Sequence, residues 1–125
     1  MSNFLSIHHG SFIVRDTDQA LQFYCDVLGM QQVPRTDLPF PGAWLAIGQQ
    51  QLHLLELPNA DPVDARPEHG GRDRHLALMV VKLSKVRASL DEAGVAYTMS
   101  KSGRPALFCR DPDGNTLEII ESAAE

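Results

Sequence analysis

The chain reads as two copies of one short pattern, and this internal repeat limits its fold more than any other feature. The first half opens with His9-Gly10-Ser11-Phe12-Ile13-Val14 and the second with His75-Leu76-Ala77-Leu78-Met79-Val80. Both runs are short, apolar and rich in branched residues, as buried strands are. A helical spacing follows each one. Ala20, Leu21, Tyr24, Val27 and Leu28 recur after the capping stretch Asp16-Thr17-Asp18, and Val86, Leu90 and Ala93 recur after Ser84. Gly29 and Gly94 then stand where a helix end favours a left-handed residue. Opening histidine and glycine are 20 residues apart in one half and 19 in the other.

The match continues to the end of each half. Leu52-His53-Leu54-Leu55-Glu56 aligns without a gap to Leu117-Glu118-Ile119-Ile120-Glu121. His53 lies 44 residues after His9, and Glu118 lies 43 after His75. Ahead of these runs stand two more strand candidates, Ala43 to Ile47 and Ala106 to Cys109. Asp111-Pro112-Asp113-Gly114-Asn115 is a strong hairpin signal, with Gly48-Gln49-Gln50-Gln51 as its counterpart. The pattern predicts an α+β fold of two tandem βαβββ modules within one domain of 125 residues, module 1 about 5–57 and module 2 about 74–121. A linker of about 15 residues, 58–73, joins them and is long enough to carry function.

Composition removes several function classes. A net charge of −5, with eleven Lys and Arg scattered along the chain, gives no footprint for nucleic acid. No run approaches the roughly 18 apolar residues of a membrane helix. The opening Met1-Ser2-Asn3-Phe4 lacks the charged and apolar regions of a secretory leader, so cytoplasm is the expected location. Cys25 and Cys109 are too few and too far apart for a disulfide framework and are expected to be reduced thiols.

The histidines carry the chemistry. Side chains alternate along a strand, so His9 shares a face with Ser11 and Ile13, and His75 with Ala77 and Met79. His53 and Glu118 occupy repeat-equivalent places on the last strands. With the modules related by a pseudo-twofold axis, His9, His53, His75 and Glu118 are expected to converge. Three imidazoles and one carboxylate suit Zn, Ni, Co, Mn or Fe, and not Ca or Mg, which prefer all-oxygen shells. Glu56 is the rival to His53, on the opposite face unless the strand slips by one residue. His8 is expected to point away from His9, and His69 to lie exposed in the linker. Core packing is the expected role for Trp44 and Phe40.

These residues resemble the vicinal oxygen chelate superfamily of glyoxalase I, fosfomycin-resistance thiol transferases, methylmalonyl-CoA epimerase, bleomycin-binding proteins and extradiol dioxygenases. The resemblance rests on His9 through Gly29, on Arg74-His75-Leu76-Ala77-Leu78, and on Phe108 through Glu118. The stretches Ala65 to His75 and Tyr97 to Pro105 look closest to a glyoxalase-I-like subgroup. It implies an open eight-stranded barrel-like sheet, a homodimer, and a divalent transition metal held by His9, His75 and Glu118, with His53 at the variable fourth position. The implied activity is a metal-dependent lyase or isomerase acting on a small substrate chelated through vicinal oxygens, with Glu118 as the catalytic carboxylate. Glyoxalase I usually has Glu or Gln at the fourth position, so His53 is a departure. Arg72, Arg74, Lys101 and Arg104 are the candidates for holding a substrate carboxylate. The alternatives are a thiol transferase, a ring-cleaving dioxygenase, or a non-catalytic small-molecule binding or resistance protein.

Overall fold

The computed structural model describes residues 2–123. Strand β1 (His9–Val14) leads into helix α1 (Thr17–Leu21), which widens into a π-helical stretch, Gln22–Val27. Strands β2 (Gln31–Val33), β3 (Gly42–Ile47) and β4 (Gln50–Glu56) complete module 1. The linker holds one 3₁₀ turn, Gly70–Arg72, and the order then recurs as β5 (Leu76–Val80), α2 (Leu83–Ala93), β6 (Tyr97–Met99), β7 (Ala106–Arg110) and β8 (Thr116–Glu121). No helix among the described residues is long and apolar enough to cross a membrane.

The eight strands form two open four-stranded sheets, ordered β1-β4-β3-β2 and β5-β8-β7-β6, in place of one continuous barrel-like sheet. First and last strands pair parallel in each module, and the remaining pairs are antiparallel. The parallel registers are equivalent: Ser11 sits opposite His53, and Ala77 opposite Glu118. Strands β2 and β6 have only three residues each, too few to show a period in sequence.

The two helices are capped by the same device. Asp16 accepts from the Gln19 N–H, and Glu56 Oε1 accepts from both the N–H and the hydroxyl of Thr17, at 2.8 and 2.9 Å. Helix α2 starts at Leu83, one residue ahead of the expected Ser84. Its flanking Lys82 offers no capping side chain; Glu121 Oε1 takes the Leu83 N–H at 2.9 Å instead. Glu56 and Glu121 are repeat-equivalent, so each module's last strand closes the start of its own helix.

Alternation then sorts the side chains. Val14, Ala43, Leu45, Leu52 and Leu54 from the first sheet, and Leu107, Cys109, Leu117 and Ile119 from the second, join Phe23, Tyr24, Leu83 and Leu90 in one buried cluster. Both sheets therefore give their helix-side faces to a common core. The turn after β7 bolts the modules together. Tyr24 donates its hydroxyl to Asp111 Oδ2 at 2.8 Å, Asn115 Nδ2 donates to the Ile13 carbonyl at 3.0 Å, and the Arg15 N–H donates to Asp113 Oδ1 at 3.1 Å. Gly114 is obligatory in this turn, with φ at +82° and the Val63 carbonyl oxygen where a Cβ would stand. Burial pushes the Tyr24 hydroxyl and the Asp111 carboxyl both upward, Asp111 adding to the effect on Tyr24.

Because the Tyr24 hydroxyl meets a buried carboxylate, Tyr24→Phe is expected to destabilise the fold by about 2 kcal/mol. Urea denaturation with an unchanged m-value measures this, and a loss below about 0.5 kcal/mol would show that the bolt carries little.

Candidate metal centre

The donor residues lie on the faces that the core leaves free. In module 1 the His9 and His53 rings stack, with centroids 3.9 Å apart, and His53 lies in turn against Trp44 at 4.2 Å. His53 Nε2 donates to the Gln51 side-chain oxygen at 2.8 Å. Burial is the main cause holding His53 below the usual imidazole range, helped by His9, His8 and Arg35. A neutral imidazole is the form that binds a metal.

His8 does not point away from this cluster. Strand β1 begins only at His9, so alternation does not govern the residue before it, and His8 Nδ1 lies 2.9 Å from His9 Nδ1. Trp44 is half-buried under His53 and is not part of the core cluster. Phe40 packs under the Arg35 guanidinium at 5.2 Å, and its carbonyl accepts from Arg35 at 2.7 Å.

Module 2 presents the equivalent arrangement with different donors. His75 Nδ1 donates to the Asp73 carbonyl at 2.8 Å, which fixes the tautomer and leaves the lone pair on Nε2. That nitrogen lies 3.2 Å from Glu118 Oε1. Two acceptors so placed call for a positive charge between them, a proton on the ring or a metal ion. Glu118 is buried, 5% exposed, and its second oxygen accepts from Arg104 Nη2 at 2.7 Å. Phe108 lies opposite Glu118 in register, as Trp44 lies opposite His53, and meets the His75 ring edge-on at 5.2 Å. Each module thus carries two donors over one aromatic ring.

The linker anchors the second pair. Asp73, whose carbonyl orients His75, binds Arg66 and Arg110 through its carboxylate at 2.9 and 2.8 Å. These guanidiniums, Arg66 foremost, hold that carboxyl well below the usual range. His69 is half-buried and not exposed. Its Nδ1 accepts from the Gly71 N–H at 3.0 Å and its Nε2 donates to the Met99 carbonyl at 3.2 Å, so both nitrogens are engaged. A Cβ on Gly70 would stand 2.8 Å from Thr116 and 2.9 Å from Phe108, so the Gly70-Gly71 pair was the readable sign that this loop packs tightly.

Arg72, Lys101 and Arg104 line one cleft of about 360 Å³ with His69, His75 and Glu118. Arg74 is not among them: it pairs with Asp61 and faces a separate cleft along β1 and β5. Glu56 lies on the face opposite His53, its carboxylate taken by the start of α1.

Among the described residues, no group of three or more His, Cys, Asp or Glu side chains is arranged to hold a metal ion. One chain holds two half-sites, His9 with His53 and His75 with Glu118. Each half carries donor types that suit a transition metal: the exposed His9 with the buried His53, and the exposed His75 with the buried Glu118, one oxygen of which lies beside the imidazole.

Comparison with known proteins agrees with the architecture. The sequence profile of the Glyoxalase/Bleomycin resistance protein/Dioxygenase superfamily matches residues 6–119. The chain is 31% identical to Glyoxylase I 4 of Arabidopsis thaliana over 120 residues, 91% of this chain and 69% of that protein. It is 29% identical over 126 residues to a Synechocystis protein provisionally named lactoylglutathione lyase, 94% of this chain and 95% of the other. A solved structure from Bacillus anthracis, assigned to the glyoxalase family, superimposes with a TM-score of 0.80 at 24% identity, covering 98% of this chain and 100% of that one.

A carboxyl held below its ordinary range stabilises the fold fully above about pH 4, and that contribution fades as pH falls toward the folded-state value. Asp73→Asn is therefore expected to cost about 2 kcal/mol at pH 7, with the difference from wild type narrowing below pH 4. Thermal melts across pH 2–7 check this, and a pH-independent difference would assign the loss to something other than the Arg66–Asp73–Arg110 network.

Proposed function

The chain belongs to the Glyoxalase/Bleomycin resistance protein/Dioxygenase superfamily, and from that premise we propose that it is a metal-dependent lyase or isomerase of glyoxalase I type. The observation that carries this reading is the pairing of donors at repeat-equivalent positions, His9 with His53 and His75 with Glu118, each over an aromatic ring. Both donor faces lie away from the common core, so the full set of four comes together when module 1 of one copy faces module 2 of a second. The functional unit is then a homodimer with two sites, each shared between subunits.

A divalent Zn, Ni, Co, Mn or Fe ion bound there would polarise two neighbouring oxygens of a small substrate. The chain's own residues do the rest. His9, His53 and His75 would supply ring nitrogens, and Asp73 orients the last of them through its carbonyl. Glu118 is the only carboxylate among the four donors, so proton transfer next to a substrate carbonyl falls to its Oε1, while Arg104 holds Oε2. Trp44 and Phe108 exclude water from beneath the donors.

A complementation experiment tests the shared site. A chain with His9→Ala and His53→Ala, and another with His75→Ala and Glu118→Ala, each spoil both sites of their own dimer. Co-refolded in equal amounts they regain about one quarter of the wild-type metal content, since half the dimers are mixed and each mixed dimer has one intact site. No regain beside a metal-loaded wild type would place the site elsewhere, and a wild type without divalent metal would remove the metal-dependent reading. Glu56→Ala keeps its metal and loses stability, being a helix cap. Turnover of methylglyoxal with glutathione by the metal-loaded protein then tests the reaction.

A further inference from the structure

The two half-sites are related by the repeat, but their rims are not. Beside His9 and His53, the donor face of module 1 carries Ser11, Ile13, Trp44 and Leu55, with one cation, Arg35, that donates to the Phe40 carbonyl. Beside His75 and Glu118 stand Arg72, Lys101 and Arg104, three cations against one carboxylate in a chain whose net charge is −5. Arg104 is not a loose surface side chain. Its Nη2 is on Glu118 at 2.7 Å and its Nε on the Ser102 hydroxyl at 3.3 Å. Ser102 is itself fixed by Ser100, through a hydroxyl pair at 2.8 Å and an N–H bond at 3.2 Å. The guanidinium is thus preorganised against the donor carboxylate, with Nη1 making no hydrogen bond among the described residues. The side chains of Arg72 and Lys101, on the same cleft, make none either among those residues.

We infer that this cleft is a carboxylate-binding subsite for a small 2-oxo or 2-hydroxy acid whose neighbouring oxygen reaches the His75–Glu118 pair. The inference rests on the metal-site reading above and adds the substrate class. A carboxylate there meets three cationic side chains, one of them rigid, and forms charge-assisted hydrogen bonds. A neutral ketol of the same shape leaves those donors to water. The asymmetry also gives the substrate a direction: its anionic end lies among the three cations on the module 2 side and its remainder toward module 1.

The test compares pyruvate with hydroxyacetone, which share a carbon skeleton and a pair of neighbouring oxygens and differ in charge. Calorimetric titration of the metal-loaded full chain should show pyruvate binding the more tightly. In the Arg72→Gln/Lys101→Gln double variant, pyruvate affinity should fall about tenfold or more while hydroxyacetone changes by less than twofold and metal content is unchanged. Equal pyruvate affinity in wild type and double variant overturns the subsite. Metal is quantified in the same samples, so that a wild type without metal overturns the metal-site reading separately. The subsite is then read from pyruvate binding to the chelator-treated chain: binding that the double variant loses supports it, and binding equal in both proteins overturns it.

Discussion

The parallel pairing of first and last strands in each module is the constraint on which everything else depends. It sets Ser11 opposite His53 and Ala77 opposite Glu118, and alternation then sends every second residue of β4 and β8 to the donor face. A slip of one residue would exchange His53 for a leucine and strip both helices of their caps, because Glu56 and Glu121 ride on the same strands with the opposite facing. The caps and the donors are therefore two readings of one register. A carboxylate bound to a helix start at 2.8 or 2.9 Å resists such a slip, so a structural bond on the core side fixes the chemistry on the other.

The division between core face and donor face also decides how the site is built. Both sheets turn their apolar faces inward, and the Tyr24–Asp111 hydrogen bond with its neighbours at residues 111–115 holds the modules in that arrangement. Donor faces that share a core at their backs do not meet within one chain. In the proposed homodimer the repeat would serve more than duplication: two half-sites of different donor content would each be completed by the other kind.

Much of this was legible in the sequence. The strand His9–Val14, the glycine ends at Gly29 and Gly94 and the gapless match of β4 to β8 follow from period and punctuation, which local chemistry fixes. What was not legible has physical causes. Strands of three residues carry no period, so β2 and β6 were expected from the module pattern but not located. His69 was read as exposed because its linker is polar, yet its two ring nitrogens find backbone partners that no local pattern announces. His8 was assigned a direction from strand alternation that starts one residue too late to apply. Trp44 was expected in the core, although register places it under His53. Arg74 sits beside His75 in sequence, but Asp61 draws it to the other side. The repeat revealed which positions correspond; only the packing of sheets on a common core revealed that the four donors divide into two pairs.

The substitution of histidine for a carboxylate at position 53 has an electrostatic consequence. In the proposed site, four donors with two carboxylates would neutralise a divalent cation, whereas three imidazole ligands and Glu118 would leave it one positive charge. Burial foremost, then His9, His8 and Arg35, disfavour a proton on His53, which suits it to that role. The residual positive charge would lie beside Arg72, Lys101 and Arg104, and Arg104 already shares Glu118. The residual charge and the three cations of the cleft would therefore have the same sign. A site so poised gains most from a substrate that brings a negative charge of its own, and least from a neutral one.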